Sequence, residues 1–130
     1  MSASFALQES LVAALNQVED LTGIFDGPPA RAPFPYAIVD AGTEVDWSHK
    51  SGIGREVSIA LTIWDDQPAR LSRLANQVET GMNQLPAPGG WDLITLRFMR
   101  KRIVRDVSGP WAAALDYRGR LLANSQGETE

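Results

Sequence analysis

Arg55-Glu56-Val57-Ser58-Ile59-Ala60-Leu61-Thr62-Ile63-Trp64 decides the fold class. Val57, Ile59, Leu61 and Ile63 alternate with Glu56, Ser58, Ala60 and Thr62. A period of two belongs to a strand, because successive side chains leave it on opposite faces. One face is apolar and the other smaller or wetter, so this strand has a core on one side. Just upstream, Tyr36–Ala41 is a short apolar run that reads as a second strand. The thirteen residues from Gly42 to Gly54 between them read as a polar loop. That is long for a hairpin connection, and long loops are more often functional or mobile.

Downstream, the period changes. Leu71, Leu74, Ala75, Val78, Met82 and Leu85 recur at helical spacing. Asp65 or Asp66 is placed to cap this helix, Pro68 fits its first turn, and Pro86 ends it. Two further strands are expected at about Leu93–Arg105 and Trp111–Leu121, turned by Ser108-Gly109-Pro110. In the first of them Ile94, Leu96 and Phe98 share a parity that Ile103 lacks, so a bulge between Met99 and Ile103 is expected.

At the other end, Leu7, Leu11, Ala14, Leu15 and Val18 mark a helix over 5–19, with Ser4 as N-cap. Residues 26–35 hold four prolines, which excludes a helix or an inner strand and leaves an extended connector. The expected order is helix, strand, strand, helix, strand, strand. That gives an α+β fold: an antiparallel or mixed four-stranded sheet with two helices on one face. Residues 1–122 make a single domain, and 123–130 are expected to be a flexible tail.

The 130 residues suit one domain with its own core. There is no cysteine, so disulfides, thiolate metal sites and cysteine nucleophiles are excluded. The first residues lack the positive region of a signal peptide, and no run approaches the ~18 apolar residues that span a bilayer. A soluble protein made in the cytoplasm, without a membrane partner, is the expectation. The net charge of −4 is unevenly spread: residues 1–92 carry five basic and twelve acidic side chains, residues 93–130 seven and four. An acidic body with a basic C-terminal third implies faces of opposite sign, not a general nucleic-acid binder.

Candidate reactive groups are few. His49 lacks a partner with metal-ligand or catalytic spacing and reads as a solvated loop histidine. Asp65-Asp66 offers an acid pair, but sits where a helix needs a cap. Gly52-x-Gly54 precedes a strand, whereas a phosphate cradle needs a helix N-terminus there. No catalytic residue, cofactor or metal site is assigned. A small enzyme or ligand-binding domain using Asp65, Asp66 and His49 is the remote alternative.

The strongest local anomaly is a charge run: Arg97, Arg100, Lys101, Arg102 and Arg105 within nine residues. It reads either as a solvated edge strand or as a contact surface for an acidic partner or passing DNA. Trp47, in the polar loop, either folds back onto the domain or anchors an interface. Trp64 and Trp111 are expected in the core, and Trp91 folded back. Trp47, Lys50 and Arg55 of the loop, with the five cations of the run, are the candidate protein-interface residues.

The ordered set of segments resembles a known family. Ile24-Phe25-Asp26-Gly27-Pro28-Pro29, Ala32-Pro33-Phe34-Pro35-Tyr36, Asp46-Trp47-Ser48-x-Lys50-x-Gly52-x-Gly54-Arg55-Glu56 and Leu61-x-Ile63-Trp64 look like the tail-completion (tail-terminator) proteins of long-tailed phages and gene transfer agents. Leu96-Arg97-Phe98, Arg105-Asp106 and Asp116-Tyr117-Arg118 match the same pattern. The resemblance implies an α+β fold and a ring, usually a hexamer, on the head-proximal end of a tail tube. That ring stops tube growth and presents a surface for head joining, so the implied place is a virion or phage-like particle. The implied partners are further copies, the major tail tube protein and head–tail connector proteins. Proximity to DNA in the channel, without sequence-specific binding, is a further expectation. Another neck component, such as a head-completion or adaptor protein, is the alternative. The resemblance implies no catalysis and no cofactor, and it transfers no functional residue.

Overall fold

The computed structural model describes residues 1–29 and 31–124. Helix α1 (Ala3–Leu15) is followed by strands β1 (Gly23–Phe25), β2 (Tyr36–Asp46) and β3 (Gly54–Asp65). Helix α2 (Pro68–Met82), β4 (Trp91–Arg105) and β5 (Trp111–Ala123) complete the chain. The strands form one mixed sheet in the order β1-β2-β3-β5-β4. The α+β class is as expected, but the sheet has five strands rather than four.

The extra strand is β1, three residues that pair parallel with the start of β2. So short a strand leaves no period to read. It is held by Thr22, whose backbone N–H donates to the Pro35 carbonyl at 2.8 Å. Its hydroxyl lies 2.7 Å from the carbonyls of both Pro33 and Pro35. The proline-rich connector thus carries the chain from β1 back to a parallel neighbour, through a cis Phe34–Pro35 peptide.

The quoted alternation holds throughout β3, the central strand. Val57, Ile59, Leu61 and Ile63 are buried under the helices, against Leu7 and Leu11 of α1 and Leu71, Leu74 and Val78 of α2. Across β3, Ala113, Leu115 and Leu121 of β5 extend the same apolar layer. Among the described residues the other face of the sheet carries no helix.

Several boundaries differ from expectation. The loop predicted from Gly42 is mostly strand: Thr43 to Asp46 pair with Ser58 to Arg55, past a bulge after Asp40. Backbone pairing overrode the polar composition there, leaving residues 47–53 as the true connection. The first helix starts earlier, capped by the Ser2 hydroxyl, which accepts from the Phe5 N–H at 3.2 Å. It ends at Leu15: the Asn16 N–H still donates to Val12, but those of Gln17 and Val18 donate to carbonyls three residues back. Helix α2 is capped by Gln67 without a side-chain bond. Asp65 instead braces the preceding turn, accepting from the Gln67 N–H at 3.2 Å. Trp64 lies half-buried on the helix-free face, opposite Ala112, rather than in the core. Ala123 and Asn124, expected in a flexible tail, are held instead: Ala123 pairs with Trp91, and the Asn124 N–H donates to the Gly90 carbonyl at 3.1 Å. Residues 125–130 lie outside the described residues.

Candidate assembly surface

Strand β4 positions the charge run. It is an edge strand, and neither helix packs over its C-terminal half. Every residue from Arg97 to Val107 is exposed. Two bulges interrupt its pairing with β5, between Leu93 and Thr95 and between Phe98 and Arg100. The second lies one residue before the predicted interval and reconciles the two parities. Leu93, Leu96, Phe98, Lys101, Ile103 and Arg105 stand on the helix side, opposite Leu121, Gly119, Tyr117, Leu115, Ala113 and Trp111. Arg97, Arg100 and Arg102 stand on the bare side.

The cations therefore have different surroundings. Lys101 reaches Glu79 of α2, Nζ to Oε2 at 2.7 Å. Arg100 pairs with Asp116 of β5 at 3.1 Å. The Arg105 guanidinium lies 5.7 Å from the centre of the Trp111 ring, within cation–π reach. Arg97 and Arg102 have no ion-pair partner among the described residues. Arg97 sits in register beside Arg118, so like charges adjoin across the two strands. Beside these cations stand large exposed apolar side chains: Phe98, Met99, Ile103, Val104 and Val107. The charges on such an edge discourage strand pairing, but a solitary molecule usually covers apolar side chains of this size.

The second candidate region is the 47–53 connection. Trp47 folds back. Its ring meets His49 edge-on at 4.5 Å, and Arg120 of β5 stacks 5.4 Å from the ring centre. Trp47 is half-buried by these contacts, whereas Lys50 is fully outward and exposed. Arg55 donates to Asp46 Oδ1 at 3.0 Å and to the Gly54 carbonyl at 2.9 Å. The Ser48 hydroxyl and N–H both donate to the same Asp46 carboxylate. These bonds, the hydroxyl's first, hold the Asp46 carboxyl below its ordinary pKa, with the Arg55 charge adding to them.

Arg118 and Arg120 link the two regions. Both lie on the helix-free face and share Glu56, at 3.6 and 2.9 Å. A cationic strip therefore crosses the bare side of the sheet from Arg102 to the Trp47 ring. Arg118 and Arg120 were not among the sequence candidates, although they share the parity of Asp116 on a strand whose other parity is apolar.

Asp65 and Asp66 do not form a site for substrate. Asp65 is buried and receives a two-pronged bond from Arg70, Nε at 2.7 Å and Nη2 at 2.6 Å. Asp66 is exposed and 3.5 Å from the same guanidinium. His49 is exposed at the loop tip, where its ring meets that of Trp47. Among the described residues no three His, Asp or Glu side chains gather as a metal site would require. Among the described residues no helix is long and apolar enough to cross a membrane.

Residues 8–121 match the family model of the tail completion protein gp17. The chain belongs to that family. It is therefore a tail-completion protein, a structural component of a tailed particle. No curated protein matches it. Among solved structures it is similar to a chain of the virion of a native gene transfer agent particle: TM-score 0.69, 19% identity, covering 94% of this chain and 98% of that one. It is also similar to the bacteriophage SPP1 gp17 protein: TM-score 0.59, 18% identity, 95% and 93% coverage. At such identities the likeness speaks for the fold.

Proposed function

We infer that this tail-completion protein works as a ring-forming, non-enzymatic subunit at the head-proximal end of a tail tube. It ends tube polymerisation there and presents the surface on which the head is joined. Family membership supports this reading, and β4 is the observation that carries it. The edge strand, exposed from Arg97 onward, combines large apolar side chains with Arg97 and Arg102, cations that have no ion pair among the described residues. Such an edge favours association with further chains. The partners in this reading are further copies, the tube protein and the head–tail connectors, in a phage or a gene transfer agent. The cationic strip ending at Trp47 is suited to an acidic protein surface or to DNA in a channel, held by charge and without sequence reading.

The test is electron microscopy of particles from a strain lacking the gene. Overlong tails support a terminator. Tails of normal length that stay detached from heads point to an adaptor and overturn the terminating role.

A further inference from the structure

The two edges of the sheet are chemically unlike, and each matches what the other lacks. At the β4 edge, Phe98 and Ile103 project on the helix side and are 46% and 43% exposed. Arg102 and Arg105 flank Ile103 on the two faces. At the opposite edge, α1 and β1 enclose an open groove of about 550 Å³. Phe5, Val12, Ile24 and Phe25 give it an apolar wall, and Glu9 and Asp26 stand at its rim. Phe5 is 55% exposed. Glu9 and Asp26 are exposed and make no ion pair among the described residues. Both the groove and the Phe98–Ile103 side chains lie on the helix side of the sheet.

We propose that the α1/β1 groove receives the β4 edge of a second copy of this chain, Phe98 and Ile103 entering the apolar wall while Arg105, on that same face, and Arg102, across the edge from it, bring positive charge toward Glu9 and Asp26. This deepens the ring reading and rests on it. Pairing β4 with the β4 of another copy would set Arg97, Arg102 and Arg105, which have no ion pair among the described residues, against cations of the same sign, which is repulsive. Pairing β4 with the groove sets positive against negative and apolar against apolar. Because the groove and β4 lie at opposite ends of the strand order, the contact is head-to-tail, and a pair of copies still has one groove and one β4 edge free. A head-to-tail contact that closes makes a ring, whereas a β4–β4 contact stops at a dimer.

The experiment uses the full chain and two charge-reversed variants, R102E/R105E and E9K/D26K. All four positions are exposed, and R105E gives up the stacking on Trp111, so melting temperatures should fall by no more than a few degrees. The association of each is measured by sedimentation, alone and mixed in equal amounts. Each variant alone should associate about tenfold or more weakly than the unmodified chain. The mixture should recover assembly, because each reversed surface then meets its complement on the other variant. E9K/D26K associating as tightly as the unmodified chain would show that the groove is not used, and β4–β4 pairing predicts that outcome. R102E/R105E associating normally, or a mixture that fails to recover, would equally overturn the pairing while leaving the ring intact. An unmodified chain that stays monomeric at every concentration would instead remove the ring reading, and this inference with it.

Discussion

Arg70 grips Asp65 from one turn into α2, its Nε and Nη2 each within 2.7 Å of a carboxylate oxygen, and the Asp65 side chain is wholly buried. Burial by itself would push this carboxyl up. The Arg70 fork and the Gln67 N–H outweigh it and hold the group below its ordinary value of 3.8. The unfolded chain takes up this proton near 3.8, the folded chain only at lower pH. Asp65 therefore stabilises fully above that value, and the contribution is lost as pH falls through the folded value. Asp65→Asn should cost about 2 kcal/mol at neutral pH, the scale of a charged hydrogen bond. It should also flatten the acid limb of stability between about pH 5 and 2. Chemical denaturation across that range reads both, and an unaltered acid limb would count against this role.

Tyr117 supplies the alkaline counterpart. It is buried between Phe98, whose ring meets it edge-on at 5.4 Å, and the sheet. Burial first, and the Glu79 charge second, push its phenol up from 10.0 to about 12. The unfolded chain ionises first, so this contribution is present below pH 10 and is lost between there and about 12. Absorbance titration should show a tyrosine that ionises only near pH 12 or on unfolding, and Tyr117→Phe should remove that component. A phenol at position 117 that ionises near pH 10 in the folded protein would be the contrary result.

The charge run should divide under mutation. Reversing Arg100 and Lys101 breaks the pairs to Asp116 and Glu79 and sets like charges in contact. Both pairs are at least partly solvated, so R100E/K101E together should lower folding stability by only about 1 kcal/mol. Arg102 has no such partner, and R102E should change stability by less than about 0.5 kcal/mol. It should nevertheless impair assembly. Thermal melts paired with particle counts in a complemented deletion strain separate the two effects. Normal particles from R102E would argue that the run is a solvated edge and nothing more.

Much of this was legible in the chain, and the misses have physical causes. The alternation at Val57, Ile59, Leu61 and Ile63 located the central strand because one of its faces is buried and the other is not. The stripe from Leu71 to Met82 located α2 for the same reason. β1 escaped because three residues cannot display a period, and the strand is fixed by Thr22 contacts thirteen residues away. The Gly42–Asp46 segment escaped because its polar residues are paired through the backbone, which composition does not report. In the assembly surface, the cations of β4 were visible, but their division between faces depended on bulges whose places the parity only approximates. The acidic groove was out of reach altogether. Glu9 and Asp26 are seventeen positions apart, and only the packing of α1 on β1 brings them to one rim.

Two glycines make opposite predictions from the same substitution. Gly54 closes the base of the Trp47 loop, its N–H bonded to the Ser48 hydroxyl at 3.0 Å and its carbonyl to the Trp47 N–H at 2.9 Å. A Cβ placed there would stand 2.3 Å from the Trp47 carbonyl oxygen and 2.8 Å from its carbon. Those atoms are backbone, so no side-chain rotation relieves the clash, and the β2–β3 hairpin end must open. Gly54→Ala should cost about 1–3 kcal/mol and release the Trp47 ring from Arg120. Hydrogen exchange at the Trp47 amide and the near-ultraviolet circular dichroism of the tryptophans should report the opening. Gly81 is the contrast. It lies in α2, with nothing within 4 Å of the position of a Cβ and no left-handed backbone to preserve. Gly81→Ala should stabilise the fold by about 0.5–1 kcal/mol, by lowering the backbone entropy of the unfolded chain. If the two variants melted alike, the close approach of Trp47 and Gly54 could not be what shapes the loop.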